Sequence, residues 1–252
     1  MGSALIKSRS LRPGRVRLRS LAAGVLLVVG VLLISEGLVT LLWQEPLSTF
    51  YTRHQQGKLN EELRKAEAAA LAAPSGFVAR KGPELDRSAV LARRYGKRVA
   101  DGRPLGRIEI PSLGARFVFV EGVSAGDLTK GPGHYSGTLL PGESGTVAIA
   151  GHRTTYLAPF RHIDRLGRGD EIKLEMPYGT FRYSVESSVT VSPANTASLR
   201  RVGHPRLVLT TCTPPFSAAK RLVVKARLRS TALRSPRGVG GRDRAGGIDH
   251  RK

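Results

Sequence analysis

The sequence is poor in cysteine and in acidic residues. Cys212 is the single thiol among 252 residues, which excludes an intrachain disulfide and the multi-cysteine spacing of zinc fingers. The 19 acidic residues are outnumbered by 41 basic ones, and they form no cluster with calcium-site spacing. The sequence therefore predicts neither a metal ion nor a cofactor.

Charged residues are also scarce in one long segment, residues 21–43, in which Glu36 is the single charge. An apolar helix of this length crosses a bilayer core of ~30 Å. The leader, residues 1–20, is basic and contains no acid, so the positive-inside rule predicts a cytoplasmic N-terminus and an extracellular remainder. A cleaved signal peptide is the alternative, but the apolar run is longer than a signal-peptide core and no small-x-small site follows it. We therefore expect a single-pass protein of the cell membrane.

The basic excess gives a formal net charge of +22 at pH 7. Such a charge can indicate nucleic-acid binding, but no basic stretch interleaved with aromatic residues is present. For an exported domain, an anionic cell envelope or anionic lipid headgroups are the better electrostatic partners. We expect no nucleic-acid partner.

Beyond the anchor, the composition predicts a spacer, a folded domain and a tail. Residues 44–103 contain many helix formers and are expected to form a partly helical spacer. Residues 104–229 contain short apolar runs punctuated by Gly, Pro, Asn and Asp, typical of an antiparallel sandwich or barrel. Residues 230–252 are rich in Gly and Arg, have little apolar content and are expected to be disordered. The predicted strands are Arg107–Ile110, Ala115–Val120, Gly145–Ala150, Glu171–Met176, Thr180–Val191, Arg206–Thr211 and Arg221–Leu228.

Cys212 lies at the end of one apolar run, and Arg221 begins the next run nine residues later. Two such runs joined by a Pro-Pro loop predict adjacent antiparallel strands, which would place the thiol beside the guanidinium. A nearby cation favours the thiolate, which is the nucleophilic form. A lone cysteine is more often a small buried hydrophobe, but in an exported protein it indicates intermolecular pairing or a reactive thiol.

A cysteine nucleophile works with a base or an acid, and His152 is the best placed of the six histidines. It follows the predicted strand Gly145–Ala150, so it can project into a cleft at the strand end. His162 falls in Ala158–Leu166, a run that predicts a short amphipathic helix with the imidazole on the surface. His134 lies in a Gly-Pro-Gly loop and is expected to support the site from outside it.

Together these residues resemble the sortase family. The resemblance covers nearly all of residues 106–228, and it rests on Leu-Thr-Thr-Cys212 followed by Arg221 and on the run at residues 151–161, Gly-His-Arg-Thr-Thr-Tyr-Leu-Ala-Pro-Phe-Arg. Residues 120–135 add a third run, and together these runs look most like the class E sortases of actinobacteria. One departure is Val208, which stands where the family pattern Thr-Leu-x-Thr-Cys begins with threonine.

The resemblance implies an all-β fold with short helices, a closed eight-stranded barrel preceded by one N-terminal transmembrane helix. It implies a hydrolase-type cysteine transpeptidase in which Cys212 attacks the Thr–Gly carbonyl of a C-terminal sorting signal, LAXTG or LPXTG. His152 would protonate the leaving amine and deprotonate the incoming one. Arg221 would bind substrate and stabilise the oxyanion, for which a permanently charged guanidinium is suited.

Three further residues are expected to line the substrate groove: Thr211, Tyr135 and Tyr156. The partners implied are the sorting signal of secreted proteins, an amine of a peptidoglycan precursor and the cytoplasmic membrane. A pilin-polymerising sortase is the nearest alternative, and a non-enzymatic basic protein that binds the envelope is an alternative of another class. An L,D-transpeptidase also uses an exported cysteine, but its motif keeps the cysteine and arginine within a few residues.

Overall fold

The computed structural model describes residues 13–42, 46–72 and 83–234. The chain divides into two compact units, Met1–Pro46 and Leu47–Lys252. Most of the predicted leader and the end of the predicted anchor lie outside the described residues, as do residues 235–252 of the predicted tail.

The first unit contains helix α1, Pro13–Leu42. It begins with proline, whose fixed φ and missing N–H suit the first helical position. Residues Leu21–Leu38 have a mean hydropathy of 2.3 and none of that stretch is buried. Within the part of the chain that the structure describes, α1 alone is long and apolar enough to cross a membrane, by length and composition.

The second unit is a closed barrel of eight strands in the order β1-β2-β3-β4-β7-β8-β6-β5. The pairs β2–β3 and β4–β7 are parallel, and the other neighbours are antiparallel. The eight-stranded barrel predicted from the sequence is thus confirmed. The strands are β1 Pro104–Ile110, β2 Ala115–Glu121, β3 Gly133–His134, β4 Thr146–Ala150, β5 Glu171–Met176, β6 Gly179–Val191, β7 Arg206–Thr213 and β8 Lys220–Leu233.

Seven of these strands fall on the predicted apolar runs, and β3 is the one that the sequence did not indicate. It has two residues, too few to show the alternation by which a strand is recognised. The first four residues of the expected tail, residues 230–233, belong to β8, whose Leu233 pairs with Gly179 of β6.

The core fills the barrel, and side chains along a strand alternate between the core and the outer face. On β7, Leu207 and Leu209 belong to the interior core. Val208 between them belongs to a separate small cluster with Ala148 of β4 and Val223 of β8. The wall formed by β4, β7 and β8 therefore has a packed inner face and an apolar outer face.

Helix α2, Pro46–Ala72, lies within the segment expected to be a spacer. Its Leu59 and Leu63 are 5% and 0% exposed and form one apolar cluster with Val118 and Val120 of β2. Burying these side chains contributes about 1.5–3 kcal/mol each. Helix α2 of the predicted spacer is therefore packed on the barrel wall, and the function of the segment as a membrane spacer stays a prediction.

The same face of α2 carries polar residues bonded to the barrel backbone. The Thr52 hydroxyl donates to Thr129 O at 2.8 Å. The Gln56 side chain accepts from Val118 N at 2.8 Å and donates to Val118 O and Lys130 O at 2.8 and 2.7 Å. These groups lie at helical spacing with Leu59 and Leu63, so the buried stripe is half polar and gives a weak apolar pattern.

Helix α3, Glu84–Gly96, packs against the interior core through Ala92. Ser88, also buried, donates to Gly142 O at 2.9 Å. The Tyr95 hydroxyl donates to the Leu105 carbonyl of β1 at 3.1 Å. A further short helix, α4, spans Ala125–Leu128, and 3-10 turns span Pro111–Leu113, Ile163–Arg165 and Ala197–Leu199.

The amphipathic helix predicted over Ala158–Leu166 is wrong. The segment contains only the 3-10 turn Ile163–Arg165. Ala158 has a φ of 42° and follows two further residues of positive φ, a conformation that no right-handed helix contains. His162 is exposed beside this turn, as expected.

Candidate active site

Cys212 and Arg221 occupy directly opposed positions on β7 and β8. Cys212 is a free thiol of intermediate burial. Side chains at opposed positions of an antiparallel pair share a face, and here it is the outer face that also carries Val208 and Val223. The predicted pairing of the two runs is confirmed by this register.

His152 follows the end of β4, the strand that flanks β7 on the side away from β8. Strands β4 and β7 run parallel with Ala150 paired to Thr210. The pairing continues past the end of β4, because Gly151 N donates to Thr210 O at 3.0 Å. Extending this parallel register by two residues from Ala150 and Thr210 brings His152 to the position opposite Cys212.

The glycine before His152 is required by packing. A Cβ on Gly151 would lie 2.6 Å from the Phe160 ring, closer than real side-chain contacts allow. Phe160 N donates to His152 O at 3.0 Å, so the loop from 152 to 160 is closed by its own backbone. The small residue lets the loop fold tightly over the strand end.

The imidazole of His152 is stacked against Tyr156, with ring centroids 5.0 Å apart and planes inclined by 38°. Tyr156 has a φ of 52°, a strained value for a non-glycine residue. Its backbone N–H donates to Ser48 Oγ of α2 at 3.4 Å. The start of α2 therefore contacts the loop that carries the candidate proton carrier.

Arg221 is held by the loop between β7 and β8. Its Nη1 donates to Ala218 O at 3.0 Å and to Lys220 O at 3.2 Å. Within the described residues, Arg221 makes no ion pair with a carboxylate. A guanidinium has five N–H donors, so this anchorage fixes the group and leaves donors for a substrate oxygen.

Two of the residues expected in the substrate groove differ in placement. The Tyr135 hydroxyl is 3.0 Å from Thr210 Oγ1, and its ring packs on the apolar outer face near Cys212. Thr211 is 3% exposed and donates to Gly151 O at 2.8 Å, on the face of β7 opposite to Cys212. Thr210 is the threonine that shares a face with the thiol. Contact of Tyr135, Thr211 and Tyr156 with substrate stays a prediction.

His134 is buried, and both of its ring nitrogens have partners. Nδ1 is 2.9 Å from Glu121 Oε2, and Nε2 is 3.0 Å from Leu139 O. The residue ties β3 to the chain that follows it, directly before Tyr135, and so supports the outer face.

Arg153 is a residue of this site that the sequence did not single out. It is 7% exposed, its Nη1 donates to Thr213 Oγ1 at 2.9 Å, and its Nη2 pairs with Asp164 Oδ1 at 3.0 Å. The only sequence signal for Arg153 is its position after His152. The alternation of side chains along β7 shows which way Thr213 points, but not which way an arginine in another loop points.

Within the described residues, no group of three histidine, cysteine or carboxylate side chains could hold a metal ion. The chemistry of the edge is instead that of a thiol, an imidazole and a guanidinium on three adjacent segments. A barrel that carries this set at its strand ends has the arrangement of a thiol-dependent acyl transferase.

Comparison with known proteins agrees with this class. A family model described as the sortase domain matches residues 108–229. Sortase D of Bacillus subtilis is 38% identical over 129 residues, a match covering 49% of this chain and 63% of that protein. Sortase SrtE1 of Streptomyces coelicolor is 34% identical over 150 residues, covering 53% of this chain and 43% of that protein. The chain thus spans less than two-thirds of either relative.

Solved structures are similar as well. A Sortase D5 transpeptidase of Clostridium perfringens aligns with a TM-score of 0.56 at 26% identity, covering 70% of this chain and 99% of that one. Sortase E1 of Streptomyces coelicolor, solved with a tripeptide in its active site, aligns with a TM-score of 0.50 at 30% identity, covering 52% and 91%. The chain belongs to the sortase family.

Proposed function

We propose that this protein is a membrane-anchored cysteine transpeptidase that cleaves a sorting signal of the LAXTG or LPXTG type and transfers the protein to an amine of a cell-wall precursor. The observation that supports the proposal is the strand register: Cys212 opposes Arg221 of β8, and β4, which ends two residues before His152, runs parallel to β7 on its other side. The similarity to sortase E1 supports assignment to class E and, with it, the LAXTG preference.

In the first half-reaction, Cys212 Sγ forms a bond to the threonine carbonyl carbon and the Thr–Gly C–N bond breaks. His152 gives a proton to the leaving glycine amine. Arg221 donates hydrogen bonds to the carbonyl oxygen as it gains negative charge, which is the interaction that lowers the barrier of acyl transfer. The product is a thioester between the substrate threonine and Cys212.

In the second half-reaction, an incoming amine loses a proton to His152 and attacks the thioester carbonyl. The C–S bond breaks, the thiolate is regenerated and a new amide joins the sorted protein to the acceptor. The same imidazole serves both halves, once as acid and once as base. The proposed acceptor is a peptidoglycan-stem amine.

The location proposed is the cell membrane, with α1 as a single span, the N-terminus in the cytoplasm and the barrel outside. The apolar stretch Leu21–Leu38 supports the anchor. The basic residues of the leader, which precede that stretch without an acid, support the orientation.

The test is cleavage of fluorogenic LAXTG and LPXTG peptides by the full-length protein in detergent, with Cys212→Ala as the matched control. We expect cleavage of the LAXTG peptide, a trapped thioester on Cys212 by mass spectrometry, and transfer to a peptidoglycan-stem amine. If neither peptide is cleaved and Cys212→Ala behaves like the wild type, the proposed enzymatic activity is refuted. Transfer to a pilin lysine in preference to the stem amine would assign pilin polymerisation instead.

A further inference from the structure

Arg153 makes side-chain contacts between two segments of the candidate site. It follows His152, and its Nη1 donates to the hydroxyl of Thr213, the residue after Cys212, at 2.9 Å. The sequence neighbours of the candidate proton carrier and of the candidate nucleophile are therefore joined directly. This bond crosses between strand ends that are separated by 60 positions.

The second arm of the guanidinium reaches a third segment. Nη2 pairs with Asp164 at 3.0 Å, in the turn Ile163–Arg165 that follows the loop carrying His152. One rigid, planar group thus fixes the beginning of the loop, its end and the tip of β7. Lysine cannot do this, because a single ammonium lacks the fork geometry.

The burial of Arg153 is costly in this environment. Its side chain is 7% exposed while Asp164 is 47% exposed, so the cation is buried and its counter-ion is half in water. In addition, Arg153 Nε is buried without a hydrogen-bond partner. A buried charge that is incompletely paired destabilises the fold, and such a cost is common where function requires the group.

We infer that Arg153 is a positioning residue of the transpeptidase site, which holds the His152 segment in register with the Cys212 strand end through Thr213 and Asp164. This inference rests on the proposed function for its catalytic meaning. Thr213 lies on the face of β7 opposite to the thiol, so Arg153 acts from behind the catalytic face and touches no reacting atom.

The first experiment compares full-length Arg153→Lys, Arg153→Met and Thr213→Val with wild type in cleavage of the LAXTG peptide. A misplacement of about 1 Å costs on the order of 10²-fold in rate, so we expect kcat to fall roughly 10- to 100-fold in each. KM should stay within about twofold, because the substrate groove is on the other face. Arg165→Met, an exposed arginine of the same turn, is the matched control and should keep the wild-type kcat.

The double variant Arg153→Met with Thr213→Val separates positioning from a general loss of stability. If both residues act through one bond, the double variant is no slower than Arg153→Met alone. Multiplying effects on kcat would overturn the inference. So would a loss of kcat that parallels a loss of folded protein, followed by thermal unfolding of each variant.

A second readout does not need a sorting signal. The rate at which iodoacetamide alkylates Cys212 at pH 7 is measured in wild type, His152→Ala, Arg153→Met and the His152→Ala with Arg153→Met double variant. Positioning of His152 by Arg153 predicts a coupling of roughly threefold or more, as for residues of one network. Coupling without peptide cleavage would keep Arg153 as a positioning residue and reject the proposed substrate. Independent effects would reject the positioning role even if cleavage is normal.

Discussion

The barrel wall beneath α2 and the edge that carries Cys212 differ in how completely their cations are paired with carboxylates. On the α2 side, Arg107 is bonded to Asn60, Glu175 and Glu67 at 2.8, 3.2 and 3.4 Å. Lys173 on the neighbouring strand pairs with Glu109 at 2.7 Å and with Glu175 at 2.9 Å. Both cations are paired with carboxylates, and Arg107 joins β1 to Asn60 and Glu67 of α2.

At the edge that carries Cys212, the candidate active site, carboxylates are few. Arg221 is bonded to two backbone carbonyls, and Arg153 has one half-exposed carboxylate as its partner. An uncompensated guanidinium is a poor stabiliser of a fold but a good partner for an oxygen that becomes negative in a transition state. The net charge of the protein therefore does not distinguish these two regions. The local ratio of carboxylates to guanidinium groups does: it is high where α2 packs on the barrel and low at the candidate active site.

The largest loss of activity without a loss of stability is expected from substitution of His152. Replacing it by glutamine removes the proton carrier, so we expect peptide cleavage to fall by roughly 10²–10⁴-fold while the melting temperature is unchanged. An activated thioester substrate, whose leaving group needs no proton, should recover most of the acylation rate. His162→Gln, on an exposed turn, is the control. Equal losses for both substrates would contradict proton transfer by His152.

Arg221→Lys keeps a charge at the same place but loses the planar set of donors. Loss of one oxyanion donor costs on the order of 10²–10³-fold in kcat, and we expect a value in that range. Folding should be nearly unaffected, since the side chain of Arg221 bonds only to the nearby carbonyls of Ala218 and Lys220 within the described residues. Urea unfolding with peptide kinetics checks both. A near-normal kcat would remove Arg221 from the oxyanion role.

On the α2 side we expect the reverse: a substitution there should lower the stability of the fold and leave kcat nearly unchanged. Leu63 is 0% exposed, and Leu63→Ala leaves a cavity between α2 and β2, which costs about 2–5 kcal/mol of unfolding free energy. The kcat of the molecules that remain folded should stay close to wild type. Lys58→Ala, on the exposed side of the same helix, is the matched control. A large loss of kcat in fully folded Leu63→Ala would show that α2 is coupled to the site.

The smallest effect on stability is expected from lowering the pH, through protonation of Glu175. Burial raises the pKa of Glu175, but the hydrogen bond and charge of Lys173 and the hydrogen bond of Arg107 outweigh it, so the net pKa is lowered. A carboxylate whose pKa is lower in the folded than in the unfolded protein stabilises the fold at pH values above its unfolded pKa. That stability is lost as the pH falls through the folded pKa. Urea midpoints between neutral and acid pH should therefore fall less steeply in Glu175→Gln than in wild type. Identical slopes would mean that the pair contributes nothing.

The strands that carry Cys212 and Arg221 were predictable because their signals are local. The apolar run ending at Cys212 and the run beginning at Arg221 are joined by a short loop, and a short loop between two such runs predicts adjacent strands. His152 lies 60 positions upstream of Cys212, and its place beside the thiol depends on the parallel pairing of β4 with β7. The sequence indicated it as a candidate through its place after a predicted strand, and the family resemblance implied its role.

Helix α2 shows what sequence patterns fail to reveal. Its contact face mixes Leu59 and Leu63 with Thr52 and Gln56, and each polar group is bonded to the barrel backbone. An apolar stripe is visible in a sequence, whereas a polar side chain that finds a buried partner is indistinguishable from one that faces water. The segment was therefore expected to be a spacer.

The sequence by itself determined the apolar helix, seven of the eight strands and the opposition of Cys212 and Arg221, because periodicity and short-range pairing are properties of neighbouring residues. The tertiary structure alone decided that Thr210 and not Thr211 shares a face with the thiol, that α2 packs on the barrel, and that Arg153 binds Thr213. Those facts depend on the direction of individual side chains across strands far apart in the chain, and such directions are fixed only when the barrel closes.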